Sequence, residues 1–205
     1  MTGPLCALVP AKSFTQAKSR LAAAMSPAER QALAQHLLAR TLEACLGCAT
    51  IERIYLLTTE PTGPEWAARY GVRLLRDTGV ANFATVIDHA LDELAADGGG
   101  AVCYVASDLP EVTAESLGEL VAEDGRVAVF AAAARDGGTN AFCMALPRRI
   151  QLAFGVDSAA RNAAKVLATG ADARTATIGP LALDLDVPAD LEGLPARALL
   201  GTLSS

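Results

Sequence analysis

Leu5-Cys6-Ala7-Leu8-Val9-Pro10-Ala11-Lys12-Ser13-Phe14-Thr15-Gln16-Ala17-Lys18-Ser19-Arg20-Leu21 is the stretch on which the reading of the fold turns. Its first five residues form an unbroken apolar run ended by a proline, the pattern of a short strand buried on both faces. Past the proline the chemistry changes at once: Lys12, Lys18 and Arg20 place three cations within nine residues. The loop contains no glycine, so it is neither a P-loop nor a dinucleotide fingerprint.

Downstream, Ser26-Pro27-Ala28-Glu29 combines an N-cap, a proline at the first helical position and the glutamate of a capping box. Leu33, Leu37, Leu38, Leu42 and Cys45 follow at helical spacing, and Gly47 is a stop signal. The alternation repeats along the chain. Strands are predicted over 54–58, 72–75 and 101–106, interleaved with helices over 65–70, 83–96 and 114–122. Apolar runs over 127–134 and 141–146 come next, then a helix over 158–169 and a last one from Pro188. Strands alternating with helices imply an α/β fold with a mostly parallel central sheet covered by helices on both faces. At 205 residues, the length suits a single domain spanning 1–205.

Composition narrows the function. Hydrophobic residues make up 52% and charged residues 20%, as in a packed globular protein rather than a disordered one. A formal net charge of −6 argues against nucleic acid and anionic membranes as partners, since both need a basic face. The N-terminal residues lack a signal-peptide pattern, and no run approaches the roughly 20 apolar residues of a membrane span, so a cytoplasmic protein is expected. Cys6, Cys45, Cys48, Cys103 and Cys143 sit in apolar stretches, where cysteine behaves as a small buried hydrophobe. His36 and His89 fall within predicted helices and are read as surface or packing residues.

In open α/β sheets, ligands gather beyond the carboxyl ends of the strands, which directs attention to polar residues that follow apolar runs. Lys12, Lys18 and Arg20 can neutralise a polyphosphate as negative charge develops on it, or form a solvated basic loop. In Ser107-Asp108-Leu109-Pro110, an aspartate ends a fully apolar strand; it is a hard oxygen ligand suited to Mg²⁺, or a turn residue. In Leu183-Asp184-Leu185-Asp186, alternation puts both carboxylates on one side of an extended segment, where they repel unless a cation lies between them. Asp190 is expected in the first turn of the following helix. Gly137 and Gly138 allow close backbone approach, and Ser158 falls at the start of a helix, as an anion-binding group, an N-cap or both.

Taken together and in this order, these stretches resemble the CofC/FbiD family of guanylyltransferases in the biosynthesis of the deazaflavin coenzyme F(420). The marks are Pro-Ala-Lys with Ala-Lys-Ser-Arg-Leu, then Ser-Asp-Leu-Pro, Gly-Thr-Asn-Ala, Phe-Gly-Val-Asp-Ser-Ala-Ala-Arg and Asp-Leu-Asp-Val-Pro-Ala-Asp-Leu, which span nearly the whole chain. The resemblance implies a nucleotidyltransferase fold of the glycosyltransferase-A, Rossmann-like type. It further implies transfer of GMP from GTP to phosphoenolpyruvate, 2-phospho-L-lactate or 3-phosphoglycerate with release of pyrophosphate.

Carried over by position, Lys12, Lys18 and Arg20 are the catalytic triphosphate loop. Pro10, Lys12, Lys18 and Asn82 bind the nucleotide. Thr139, Asn140, Gly155 and Ser158 hold the acceptor acid, with Arg161 or Lys165 helping its carboxylate, while Asp108, Asp184 and Asp186 bind Mg²⁺. The implied partners are GTP and the phosphorylated acid, with a homodimer left open. Asn140 and Asn162 depart from the family's usual Thr and His. Two alternatives stand beside this reading: a related nucleotidyltransferase using CTP or GTP on another acceptor, and a relative that binds nucleotide without catalysis.

Overall fold

The computed structural model describes residues 3–77 and 82–192. Its strands are β1 (Leu5–Ala11), β2 (Arg53–Thr58), β3 (Arg73–Arg76), β4 (Ala101–Val105), β5 (Ala128–Ala132), β6 (Thr139–Ala145) and β7 (Ala173–Ala176). Its α-helices are α1 (Pro27–Gly47), α2 (Gly63–Tyr70), α3 (Phe83–Ala96), α4 (Ala114–Leu120), α5 (Ser158–Leu167) and α6 (Gly179–Ala182). The strands form one sheet in the order β3-β2-β1-β4-β6-β5-β7.

The pleat of β1 explains the two-sided cover. Leu5, Ala7 and Val9 point into an apolar cluster with Ala34, Leu38 and Leu42 of α1 and Leu117 and Leu120 of α4. Cys6 and Leu8 point the other way, into a cluster with Val86, Ile87, Leu91 and Leu94 of α3 and Ala159, Ala163 and Val166 of α5. With side chains of both parities buried, the strand has no wet face, hence the continuous apolar run. The five cysteines are buried and free, as expected of small hydrophobes.

Helix α1 starts where the local chemistry says it should. The Ser26 hydroxyl accepts from the Glu29 backbone N–H while the Glu29 carboxylate accepts from the Ser26 N–H. Such a cap is worth about 1 kcal/mol.

Three departures from the sequence reading bear on function. Strand β6 runs antiparallel to both β4 and β5, whereas the other pairings are parallel. Its reversal brings Thr139 and Asn140, at the start of the strand, to the edge where β1 and β4 end. The four-residue strand β7 has partly exposed residues throughout and no apolar run to betray it. The segment from Pro188 makes only a 3-10 turn over Pro188–Leu191.

Candidate active site

The strand order changes direction at β1 and β4, which lie side by side although they are first and fourth in the chain. The chain leaves their carboxyl ends in opposite directions and opens a crevice between them. A cleft of about 490 Å³ lies there. Pro10, Lys12 and Lys18 from the loop after β1, Asp108 from the loop after β4, Thr139 and Asn140 from β6, and Asp184 and Asp186 all line it. Eight residues scattered over most of the chain meet in one concavity.

The first loop is tied down at both ends. The Phe14 backbone N–H donates to the Glu60 carboxylate just past β2 at 2.8 Å, and the Phe14 ring packs against Trp66 of α2. Lys18 adopts the left-handed conformation, φ 56° and ψ 33°, which costs an L-residue roughly 1–2 kcal/mol. Its side chain is 8% exposed, and its ammonium donates to Asp108 Oδ2 at 3.1 Å. Strain of this kind persists where surrounding contacts over-determine it, as they do at functional sites. Lys12 is exposed on the cleft wall. Arg20 lies in a 3-10 turn (Ser19–Leu21) outside the lining and reaches Asp186 Oδ2 at 2.6 Å.

The alternation expected at 184–186 is present. Leu185 is fully buried against Leu21, Met25, Leu33 and Leu37, so Asp184 and Asp186 turn together toward the cleft. The Leu185 N–H donates to the Asp108 carbonyl at 3.1 Å, which fastens this segment to the loop after β4. Burial raises the pKa of Asp184 above the usual carboxylate range, and the nearby charge of Asp108 raises it further, against the pull of Arg135.

Asp190 carries out a job that its position in the sequence did not announce. Its Oδ2 accepts from the backbone N–H groups of Asp186 and Val187, each at 2.7 Å, and from Arg135 at 2.6 Å. Burial alone would raise its pKa; these donors outweigh that and lower it. Arg135, just before the Gly137–Gly138 turn, thus braces the acidic segment, donating also to the Asp184 carbonyl at 3.4 Å.

Among the described residues, no group of three His, Cys, Asp or Glu side chains is gathered closely enough to hold a metal ion alone. The donor set nevertheless fits Mg²⁺, which takes one or two carboxylates and completes its shell with water and substrate phosphates. Asp108 and Asp184 supply hard oxygens, close enough that the charge of Asp108 raises the pKa of Asp184.

At the other end the contacts are neutral. Ser158 is the first residue of α5, and the cap position belongs to Asp157, which makes no side-chain cap bond. The Ser158 hydroxyl instead meets the Thr139 hydroxyl at 2.8 Å, with both residues buried. Asn140 donates to the Leu181 carbonyl of α6. Gly155, exposed at φ 85°, and buried Ser158 are not among the residues that line the cleft. A β-carbon at Gly137, itself at φ 66°, would come within 3.0 Å of the Asp157 carboxylate, so glycine lets this turn pack against the start of α5.

Asn82 accepts from the Ala84 N–H as the cap of α3 and stands beside the lining residue Phe83. The expectation for Arg161 and Lys165 needs correction. Both donate to backbone carbonyls of the loop over 151–156, Arg161 to Phe154 and Val156 and Lys165 to Gln151, and neither lines the cleft. Asn162 is fully buried and clamps both the N–H and the carbonyl of Ala153; it shapes the loop that carries Phe154. His36 and His89 lie on α1 and α3 away from the lining.

Sequence reasoning missed the aromatic side of the cleft. Phe83 packs edge-on against Phe154 at 4.9 Å, and Phe154 in turn tilts against Tyr104. These rings come from α3, the 151–157 loop and β4, and no local pattern links them.

A basic loop and an acidic strand end facing each other at the switch point of a seven-stranded sheet define a nucleotidyltransferase fold. Solved structures bear this out. A protein described as a nucleotide-diphospho-sugar transferase from Desulfovibrio desulfuricans G20 superposes with a TM-score of 0.72 at 15% identity, over 98% of this chain and 96% of that one. A nucleotidyl transferase from Methanothermobacter thermautotrophicus gives 0.63 at 15% identity, over 98% and 99%.

Sequence comparison is more particular: the chain belongs to the family described as "Guanylyl transferase CofC like", which it matches over residues 5–193. It is 36% identical to a phosphoenolpyruvate guanylyltransferase of Sphaerobacter thermophilus, over 97% of this chain and 96% of that one. It is 32% identical to a 3-phospho-D-glycerate guanylyltransferase of Phenylobacterium zucineum, over 85% and 82%. A 2-phospho-L-lactate guanylyltransferase of M. thermautotrophicus is 27% identical, over 97% and 90%.

Proposed function

We propose that this protein transfers GMP from GTP to a three-carbon phosphorylated acid, releasing pyrophosphate, as a step in coenzyme F(420) biosynthesis. The acceptor is phosphoenolpyruvate, 2-phospho-L-lactate or 3-phosphoglycerate, the acids named for its relatives. One observation carries the reading. Lys18 and Asp108, separated by 90 residues, meet on the wall of the cleft with Lys12, Asp184 and Asp186 around them. That arrangement can cradle a polyphosphate and its counter-ion together.

An acceptor phosphate oxygen attacks the α-phosphorus of GTP; a new phosphoanhydride bond forms as the bond between the α-phosphorus and its bridging oxygen breaks. The acceptor phosphate is largely ionised at neutral pH, so the attack needs no side-chain general base. The protein's task is to hold two mutually repelling anions in line. Lys12, Lys18 and Arg20 offset the charge that accumulates on departing pyrophosphate, and the wall at Thr139 and Asn140, with Ser158 holding the Thr139 hydroxyl, positions the acceptor. Asp108, with Asp184 and Asp186, would hold Mg²⁺, which when bound supplies a counter-charge for the phosphates. GTP and such acids are cytoplasmic metabolites, and the enzyme is placed there accordingly.

The test is incubation with GTP, Mg²⁺ and each acid in turn, with release of pyrophosphate and the mass of the product as readouts. A guanosyl-diphospho-linked acid is expected from at least one of the three. GTP binding in calorimetry without turnover on any acceptor would leave a nucleotide-binding relative, and preference for CTP would point to a different transferase.

A further inference from the structure

We infer that the Tyr104 hydroxyl binds an anionic oxygen of the acceptor acid, an inference that rests on the guanylyl-transfer reading. Tyr104 lies in β4 and is only 3% exposed, yet it lines the cleft. Its ring makes contacts that a phenylalanine would make equally well. It stacks on Phe142 of the neighbouring strand β6, with ring centres 4.8 Å apart, and tilts against Phe154 at 5.6 Å.

The hydroxyl is the part that packing does not explain. Among the described residues, none hydrogen-bonds it. Tyr55, in β2 and just as buried, shows the usual outcome: its hydroxyl donates to the Asp97 carboxylate and accepts from Arg73. Buried phenols normally find such partners, because a polar group withdrawn from water and left unmatched destabilises the fold. On the wall of a ligand cleft, an unmatched hydroxyl is matched by the ligand.

Position selects which ligand that is. Tyr104 belongs to the apolar cluster shared with α3 and α5, and Ser158, which holds the Thr139 hydroxyl, is the first residue of α5. Tyr104 and Thr139 therefore serve the same neutral end of the cleft, where Phe83, Val86 and Phe154 also line it. The acceptor brings a phosphate and a carboxylate to this end. Other polar groups nearby are already engaged: Thr139 with Ser158, Asn140 with the Leu181 carbonyl, and Arg161 and Lys165 with carbonyls of the 151–156 loop.

Charge explains why a phenol stands here rather than a lysine. The charge of Asp108 reaches Tyr104, so a cation in its place would be drawn to that carboxylate, as Lys18 is, and would attract the triphosphate into the acceptor's position. A neutral donor does neither. Burial, and then the Asp108 charge, raise the phenol pKa, so the hydroxyl keeps its proton and can donate.

Tyr104→Phe keeps the ring and removes only the donor. Steady-state kinetics with GTP and the accepted acid, and unfolding in urea, are measured for both proteins. KM for the acid should rise by about tenfold to a hundredfold, and KM for GTP should stay as it is. The unfolding midpoint should not fall, because no bond within the protein is lost. An unchanged KM for the acid, an equal rise for GTP, or a lowered midpoint overturns the assignment. If the unaltered protein turns over none of the three acids, the guanylyl-transfer reading fails instead. Calorimetric binding of each acid, with GTP and Mg²⁺ present, then judges Tyr104, and equal affinities in the two proteins overturn its role.

Discussion

The two ends of the cleft that meet at β4 and β6 are built on opposite principles. Where the first loop faces β4, Lys18 meets Asp108 and Arg20 meets Asp186, charged pairs whose members also suit other partners. Where β6 faces α5, Thr139 meets Ser158, and beside them Asn140 holds Leu181 and Asn162 clamps Ala153. Under the proposed function, phosphate oxygens would compete for the cations and a divalent ion for the carboxylates, so the charged pairs would exchange partners when substrate arrives. The neutral contacts are buried and have no stronger competitor, so they keep their geometry. In that reading, one end does the electrostatic work and the other holds the frame.

The sharpest way to break this contrast is at Asp108. Asp108→Ala removes a proposed metal carboxylate and leaves the buried Lys18 ammonium unpaired. Pyrophosphate release from GTP should fall by at least about a hundredfold, with secondary structure retained by circular dichroism. Undiminished Mg²⁺-dependent release would remove Asp108 from the metal site.

Lys18→Met keeps most of the side-chain volume but no charge. Turnover should drop by roughly a hundredfold. Without nucleotide, the freed Asp108 should bind Mn²⁺ more tightly, as followed by the ion's magnetic resonance signal. Unchanged Mn²⁺ affinity would mean that the pair does not shield the carboxylate.

The neutral end should respond in stability rather than in rate. Ser158→Ala leaves the buried Thr139 hydroxyl without its partner, at a cost of about 1–3 kcal/mol in urea unfolding. Turnover at saturating acceptor should change less than in Lys18→Met. A larger rate effect than that of Lys18→Met would erase the distinction between the two ends.

Arg20→Ala should give the smallest effect on folding. The Arg20 side chain is 70% exposed, and exposed ion pairs contribute little to stability. Its unfolding midpoint should match the unaltered protein, while the rate falls by about tenfold if Arg20 makes the proposed pyrophosphate contact.

Much of the machinery is legible in the chain because it follows local rules. A continuous apolar run ended by Pro10 announces β1, and Ser26, Pro27 and Glu29 announce α1. Strict alternation announces that Asp184 and Asp186 share a side, which buried Leu185 confirms. What stays hidden depends on long-range partners. An apolar run does not state its direction, so the reversal of β6 that carries Thr139 to the cleft could not be read. Arg161 and Lys165 looked free to greet an acceptor, yet backbone carbonyls of the 151–156 loop claim them. Asp190 reads as an ordinary first-turn acid, and only the fold shows it clamping the acidic segment.

By itself the sequence determined the α/β alternation, the burial of both sheet faces and the kinds of charge at the strand ends, because periodicity, capping and residue chemistry act over a few residues. Only the tertiary structure decided that Lys18 comes within 3.1 Å of Asp108 and that Thr139 and Asn140 reach the same cleft. Those distances follow from strand order and direction, which contacts between remote parts of the chain select.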